Sequence, residues 1–210
     1  MANQKKLRLG ILISGGGTTF LNVHERINAG TLDAEIACVI SSRKKAFGLE
    51  RARKLGYPDY SVNYRKLGDD QAASAAIQEI LAEHRVDLVV LAGFLRVFLP
   101  GETYANRCIN IHPSLIPAFC GQGFYGAKVH EAVYRRGCRV SGCTVHMVND
   151  HYDEGPIIAQ QSVALADGDD AAEIQRKVFA AECETLPRVV QWFAEGRIQV
   201  ENGRVSVKQV

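Results

Sequence analysis

The sequence predicts an α/β fold: a doubly wound, mainly parallel sheet with an antiparallel C-terminal extension. Three observations carry this. From Leu7 to His84 short apolar runs alternate with segments of helical spacing. Val86 to Ala92 is a near-continuous Val/Leu run, the composition of a parallel strand covered on both faces. After Arg136 the alternation stops, and two strand-like segments follow one another before a long amphipathic stretch and an Asn-Gly turn.

Leu7 to Ile13 reads as a buried strand, and Ser14-Gly15-Gly16-Gly17-Thr18-Thr19 as the loop after it. Phe20 to Ala29 is a helix ended by Gly30, and Ile36 to Ile40 a second strand. Ala46 to Leu55 is a helix closed by Gly56. Ser61-Val62 reads as no more than a short strand, and Asp70 to His84 has helical spacing with Ala76, Ile77, Ile80 and Leu81 on one side. Cys108 to Ile111 is a short strand, Pro113 to Gly126 a loop rich in Pro and Gly, and Lys128 to Arg136 a short helix. Ser141 to Val148 and Pro156 to Val163 are strands joined by a turn around His151 to Gly155. Asp169 to Glu195 is a long helix that Pro187 is expected to kink or break. Arg197 to Val207 is a hairpin about Asn202-Gly203. With no repeat, low-complexity segment or linker, residues 1–210 are read as a single domain.

The chain has 210 residues, of which 47% are hydrophobic and 23% charged, enough apolar material for a core without covalent staples. A net charge of +2, with Arg43-Lys44-Lys45 as its densest basic cluster, argues against nucleic acid as a partner. The six cysteines (38, 108, 120, 138, 143, 183) form no CxxC pair, so they are read as reduced thiols of a cytoplasmic protein. Met1 to Lys6 is polar and lacks the apolar stretch of a secretory signal. No run approaches the roughly 18 apolar residues of a membrane helix, so no membrane partner is expected. Small-molecule substrates are the expected partners, and monomer and homodimer both stay open.

A strand, then Gly15-Gly16-Gly17, then a helix is an arrangement that binds phosphate. Glycines let the backbone approach the anion, and free N–H groups at the helix start favour it. Three successive glycines cost more backbone entropy than a plain turn requires. Phe20 occupies the third glycine position of the dinucleotide fingerprint, and no Gly-Lys-Ser/Thr is present. Ser41-Ser42-Arg43-Lys44 after the second strand could still imitate an NADP 2′-phosphate site, which keeps a dehydrogenase as an alternative.

Asn110-Ile111-His112-Pro113-Ser114 ends a strand, and alternation puts Asn110 and His112 on one face. Asp153 lies in the turn between two later strands, with His146 on the strand before it. Acyl transfer to an amine needs donors aimed at the developing oxyanion and a group that takes the amine's proton. An Asn amide, a protonated His and a carboxylate near the imidazole supply these. A metal held by His112, His146 and Asp153 is the alternative, although the spacing matches no ligand motif and no metal is expected.

At these residues the chain resembles the folate-dependent formyltransferases. The motifs that carry the resemblance run in the family's order: Ile13 to Gly17, Ala46 to Ala52, Leu91 to Arg96, Ile109 to Pro117, and Gly142 to His146 followed by Asp153 to Pro156. It implies a formyltransferase-like variant of the Rossmann fold and transfer of the formyl group of 10-formyltetrahydrofolate, a cosubstrate, to the amine of glycinamide ribonucleotide. It also implies roles. Asn110 and His112 would stabilise the oxyanion, and Asp153 would keep His112 charged and assist proton transfer, with His146 close by. Gly16, Gly17, Thr18 and Thr19 would hold the ribose phosphate, and Glu182 the glycinamide end. Leu95, Arg96, Val97 and Phe98, with Val148, Asn149 and Asp150, would wall the folate pocket, and Arg65 would meet the folate's glutamate tail. Two departures stand out. The family loop often reads Gly-x-Gly-Ser-Asn where this chain has Gly17-Thr18-Thr19, and Cys120 to Ala127, with Phe124-Tyr125, is longer than the common form. Related hydrolases of formylfolate read His-His-Ser in place of His112-Pro113-Ser114, and the tRNA-directed members carry a large C-terminal domain.

Overall fold

A computed structural model describes residues 5–209, so Met1 to Gln4 of the polar N-terminal stretch lie outside the described residues. Seven strands form one sheet in the order β3-β2-β1-β4-β5-β6-β7. β1 (Leu7–Ile13), β2 (Ala34–Ser41), β3 (Asp59–Ser61), β4 (Leu88–Leu91) and β5 (Cys108–His112) are parallel. β6 (Val140–Met147) and β7 (Ile157–Ala164) continue the sheet antiparallel. β8 (Ile198–Glu201) and β9 (Arg204–Val207) form a separate hairpin, turned by Asn202 (φ 50°) and Gly203 (φ 72°), the two left-handed residues that a two-residue hairpin requires.

The period-2 alternation of β1 assigns the helices to two layers. Leu9, Ile11 and Ile13 face α1 (Thr18–Asn28), α2 (Phe47–Lys54) and α6 (Ala171–Ala194) through Phe20, Val23, Leu49, Leu186 and Val190. Leu12 faces the other way, onto Ala73, Ile77 and Leu81 of α4 (Asp70–Glu83). A third cluster joins α5 (Ala127–Arg136), β6 and α6 through Val133, Cys143, Ile174 and Val178. Strand order reverses between β1 and β4, so the crevice that binds ligands in such sheets opens at their carboxyl ends.

Several elements differ from the sequence reading: α1 already begins at Thr18, and β4 is shorter than the Val86 to Ala92 run. β3 lies at Asp59–Ser61, one register earlier than Ser61-Val62, because Val62 turns inward to the α4 core. A four-residue helix, α3 (Tyr64–Leu67), was not expected; it is too short for any periodicity, and its signal is Asn63, whose side chain accepts from the N–H groups of Arg65 and Lys66. Pro187 does not break α6. Its missing N–H frees the carbonyl of Cys183, and the Arg26 guanidinium donates to that oxygen at 3.4 Å while the proline ring is buried. Among the described residues no helix is long and apolar enough to cross a membrane.

Candidate active site

The glycine loop leaves β1 at the switch point and is tied on both sides. Ser14 Oγ accepts from the N–H of Leu95 at 2.8 Å and lies 2.6 Å from Ser42 Oγ, linking the ends of β1, β4 and β2. Gly17 sits at φ 72° as the residue before α1, with no side-chain cap on the helix start. The loop's carbonyls point at α2: Gly48 N–H donates to Gly15 O at 3.0 Å, and Arg51 Nη1 to Gly16 O at 2.8 Å. This leaves the amide side of the loop and the first turn of α1 for an anion, beside the exposed Thr18 and half-buried Thr19. Gly48 cannot carry a side chain without disturbance, since a Cβ there would lie 2.4 Å from Ile13 Cδ1 and 3.2 Å from Gly15 O.

Across the crevice, β5 and β6 bring four polar side chains together. Their register sets Asn110 opposite His146 and His112 opposite Thr144. The β6–β7 loop returns Asp153 over this pair at φ 56°. Asn110 Nδ2 lies 3.1 Å from His146 Nε2 and 3.5 Å from Asp153 Oδ1. Asp153 Oδ2 lies 3.6 Å from His112 Nδ1 and accepts the N–H of Gly121 at 2.9 Å. His146 Nδ1 is 2.7 Å from the carbonyl oxygen of Met147, which can only accept, so His146 carries its proton there and its Nε2 accepts from Asn110. The amide orientation of Asn110 follows from this chain of donors.

Burial lowers the pKa of His112 from 6.5, and this outweighs the upward pull of the Asp153 carboxylate and the Phe119 carbonyl. Burial and the Asp153 carboxylate thus act on the His112 imidazole in opposite directions. Burial raises the pKa of Asp153, but the His146 and His112 imidazoles and the Gly121 N–H more than offset it, so its carboxyl stays ionised.

Asn110, His146 and Asp153 form the polar end of a cavity of about 440 Å³ whose other walls are mostly apolar, with Leu91, Phe94, Phe98 and Val148. Arg96, Val97, Asn149 and Asp150 also line it. Leu95 and Arg65 do not; they lie in a second cleft that shares Arg96 with the first.

The formyl transferase family profile matches residues 7–190. The chain belongs to the formyl transferase family. It is 35% identical to the chloroplastic phosphoribosylglycinamide formyltransferase of Arabidopsis thaliana, over 98% of this chain and 71% of that one. It is 32% identical to the phosphoribosylglycinamide formyltransferase of Haemophilus influenzae, over 93% of this chain and 91% of that one. The crystal structure of glycinamide ribonucleotide transformylase 1 from Symbiobacterium toebii superposes with a TM-score of 0.89 at 38% identity, covering 97% of this chain and 95% of that chain.

In this formyl transferase, Glu182 lies on α6 near Cys143 of β6; it makes no hydrogen bond among the described residues, and burial pushes its pKa to about 8. Other site residues escaped the sequence reading. Tyr152 and His151 line the apolar cavity. The backbone of Phe119 and Gly121 holds His112 and Asp153, and such backbone roles leave no mark in residue types. His130 is buried behind His112, with Nδ1 unpaired and a pKa lowered to about 4, chiefly by burial and then by His112. Its position three residues into a short helix read as ordinary amphipathic pattern. Among the described residues no group of three or more His, Cys, Asp or Glu could hold a metal ion.

Proposed function

We propose that this chain transfers the formyl group of 10-formyltetrahydrofolate to the amine of glycinamide ribonucleotide in purine synthesis, by direct attack of the amine and with no covalent enzyme intermediate. The observation that carries the proposal is the placement of Asn110, His146 and Asp153 at the polar end of a largely apolar cavity, with His112 beside Asp153 and the glycine loop at the start of α1 across the crevice. The apolar walls suit the faces of the cosubstrate's pterin ring, whose edge carries hydrogen-bonding groups, with Arg96, Val97, Phe98, Val148, Asn149 and Asp150 lining the cavity. Gly16, Gly17, Thr18 and Thr19 hold the phosphate, and Glu182 receives the glycinamide end.

The neutral amine attacks the formyl carbon, and the carbonyl oxygen takes up negative charge. The Asn110 amide faces that charge; its 3.5 Å contact with Asp153 is at the limit of a hydrogen bond and is readily exchanged for an oxyanion. The amine's proton passes to His112 Nδ1, where the Asp153 carboxylate stabilises the cation as it forms. The same proton then moves to N10 of the folate as the C–N10 bond breaks, so each group returns to its starting state. We further read residues 1–210 as one catalytic domain acting on small molecules in the cytoplasm.

The test is the absorbance change of 10-formyltetrahydrofolate with and without glycinamide ribonucleotide. Deformylation that depends on the amine supports the transferase. Deformylation without it points to a hydrolase, and no change in either case refutes the proposal.

A further inference from the structure

Three residues stand side by side across the sheet, on one face: His112 of β5, Thr144 of β6 and Gln160 of β7. Only the first takes part in the chemistry of the proposed reaction. The other two are tied to the chain that follows it. Thr144 is fully buried; its hydroxyl donates to Ser114 O at 2.7 Å and accepts the Ile116 N–H at 3.1 Å. Gln160 Nε2 donates to the same hydroxyl at 3.0 Å and to Ile116 O at 3.0 Å.

The Thr144 hydroxyl is therefore saturated, with its one proton and both lone pairs in use. Its proton is committed to Ser114 O, so it can only accept from Gln160, and this fixes the Gln160 amide with both hydrogens engaged. Gln160 is exposed on the edge strand of the sheet, where an ordinary polar side chain would point freely into water. Ile116 is held by both its N–H and its carbonyl, and Ser114 by its carbonyl. The Ser114 hydroxyl carries the constraint onward, donating to Ala118 O at 2.6 Å with Phe119 O at 3.4 Å. Phe119 O lies 2.9 Å from His112 Nε2, and two residues later the Gly121 N–H donates to Asp153. The chain thus leaves β5 and returns onto His112, and side chains of β6 and β7 pin it at the middle.

We infer that Thr144 and Gln160 are positioning residues for the transfer: they pin the loop after β5 so that the Phe119 carbonyl fixes the His112 ring beside Asp153. The inference rests on the assignment of His112 to the proton transfer. Neither side chain lines the apolar cavity or the cleft next to it, so the effect falls on the rate of the bound complex and not on binding.

Steady-state kinetics and heteronuclear NMR of histidine-labelled protein test this together. Gln160→Leu keeps the bulk of the side chain and loses both donors. It should lower kcat about ten-fold, part of the roughly 100-fold that a misplacement of about 1 Å can cost. KM for either substrate should stay within about two-fold. The His112 imidazole resonances should shift or broaden in the same variant. Thr144→Val should lose at least as much, and Thr144→Ser, which restores the hydroxyl, should return kcat to within about three-fold of wild type. Gln161→Leu is the control: that amide donates to Ser162 O, and its loss should change neither readout. If the buried Thr144→Val fails to fold, Gln160→Leu and Gln160→Glu, which cannot donate either, decide alone. Unchanged kcat in the Gln160 variants, a loss seen only in KM, or a lower kcat with wild-type His112 resonances would each overturn the inference. A wild type without amine-dependent turnover would instead overturn the transfer reading, and the imidazole resonances would still decide whether Gln160 positions His112.

Discussion

The imidazole of His112 is held by the chain seven residues on: its Nε2 lies 2.9 Å from the carbonyl oxygen of Phe119. A carbonyl only accepts, so Nε2 donates to it and Nδ1 faces Asp153. Phe119 adopts φ 51°, a left-handed conformation costing about 1 kcal/mol for a residue with a side chain. Ser114 Oγ, donating to Ala118 O at 2.6 Å, fixes the turn that imposes it. The strained turn thus sets the tautomer that the proposed proton transfer requires.

A first expectation concerns pH. If His112 works as the neutral acceptor, kcat/KM must fall as pH drops through its pKa, which burial places below 6.5. A pH–rate profile with an acid limb below 6.5 agrees. A histidine needed in its charged form would instead lose activity as pH rises through that pKa.

Asp153→Asn and His112→Ala should each lower kcat by at least about 100-fold, the loss expected when an oxyanion-stabilising group or its electrostatic partner is removed. Their combination should cost little more than either alone, because both serve one proton transfer. Steady-state rates of the three variants check this; additive losses would separate the two roles.

His130 should make stability pH-dependent. Its pKa is about 4 in the fold against 6.5 in the free side chain, so the unfolded chain takes up the proton first on acidification. The contribution is fully present above 6.5 and is lost as pH falls towards 4, amounting to roughly 3 kcal/mol. Urea unfolding of wild type and His130→Gln on either side of this window should show a smaller decline in the variant. Parallel declines would refute the role.

Glu182 has the opposite sign. Its pKa is raised from 4.5 to about 8, so its contribution is present below 4.5 and is lost as pH rises to 8. Glu182→Gln should therefore raise stability at neutral pH by about 1–2 kcal/mol, a figure reduced because the residue is only half-buried. The same variant should raise the KM for glycinamide ribonucleotide by about ten-fold, as one lost charged hydrogen bond implies. Thermal melts and substrate titration measure the two effects, and a destabilised variant would contradict the account.

Gly48→Ala should weaken ribonucleotide binding although residue 48 is not itself in the glycine loop. The added methyl would press on Ile13 Cδ1 and on the backbone of Gly15 and Gly17, at 2.4, 3.2 and 3.3 Å. The overpacking should cost about 1–3 kcal/mol and displace the loop. A raised KM for the ribonucleotide with an unchanged KM for the folate is the expected pattern in initial-rate kinetics.

The sheet was legible where side-chain pattern and environment agree. The all-apolar β4, the Gly-capped α2 and the Asn202-Gly203 turn each carry their own local signal. The shared face of Asn110 and His112 followed from strand alternation, and the register with β6 added His146. What stayed hidden depends on contacts distant in sequence or on backbone atoms. The rescue of Pro187 needs Arg26 from another helix, and the tautomer of His112 needs the Phe119 carbonyl. The carboxylate neighbour of His112 is visible in a motif, whereas the burial that opposes its pull emerges only from packing.

The most direct test of the central claim follows an isotopically labelled formyl group from 10-formyltetrahydrofolate by NMR, in the presence of glycinamide ribonucleotide, with wild type and Asp153→Asn compared. The account predicts that the label appears on the glycinamide nitrogen, at least about 100-fold faster with the wild type. Label recovered as free formate, or equal rates for the two proteins, would contradict it.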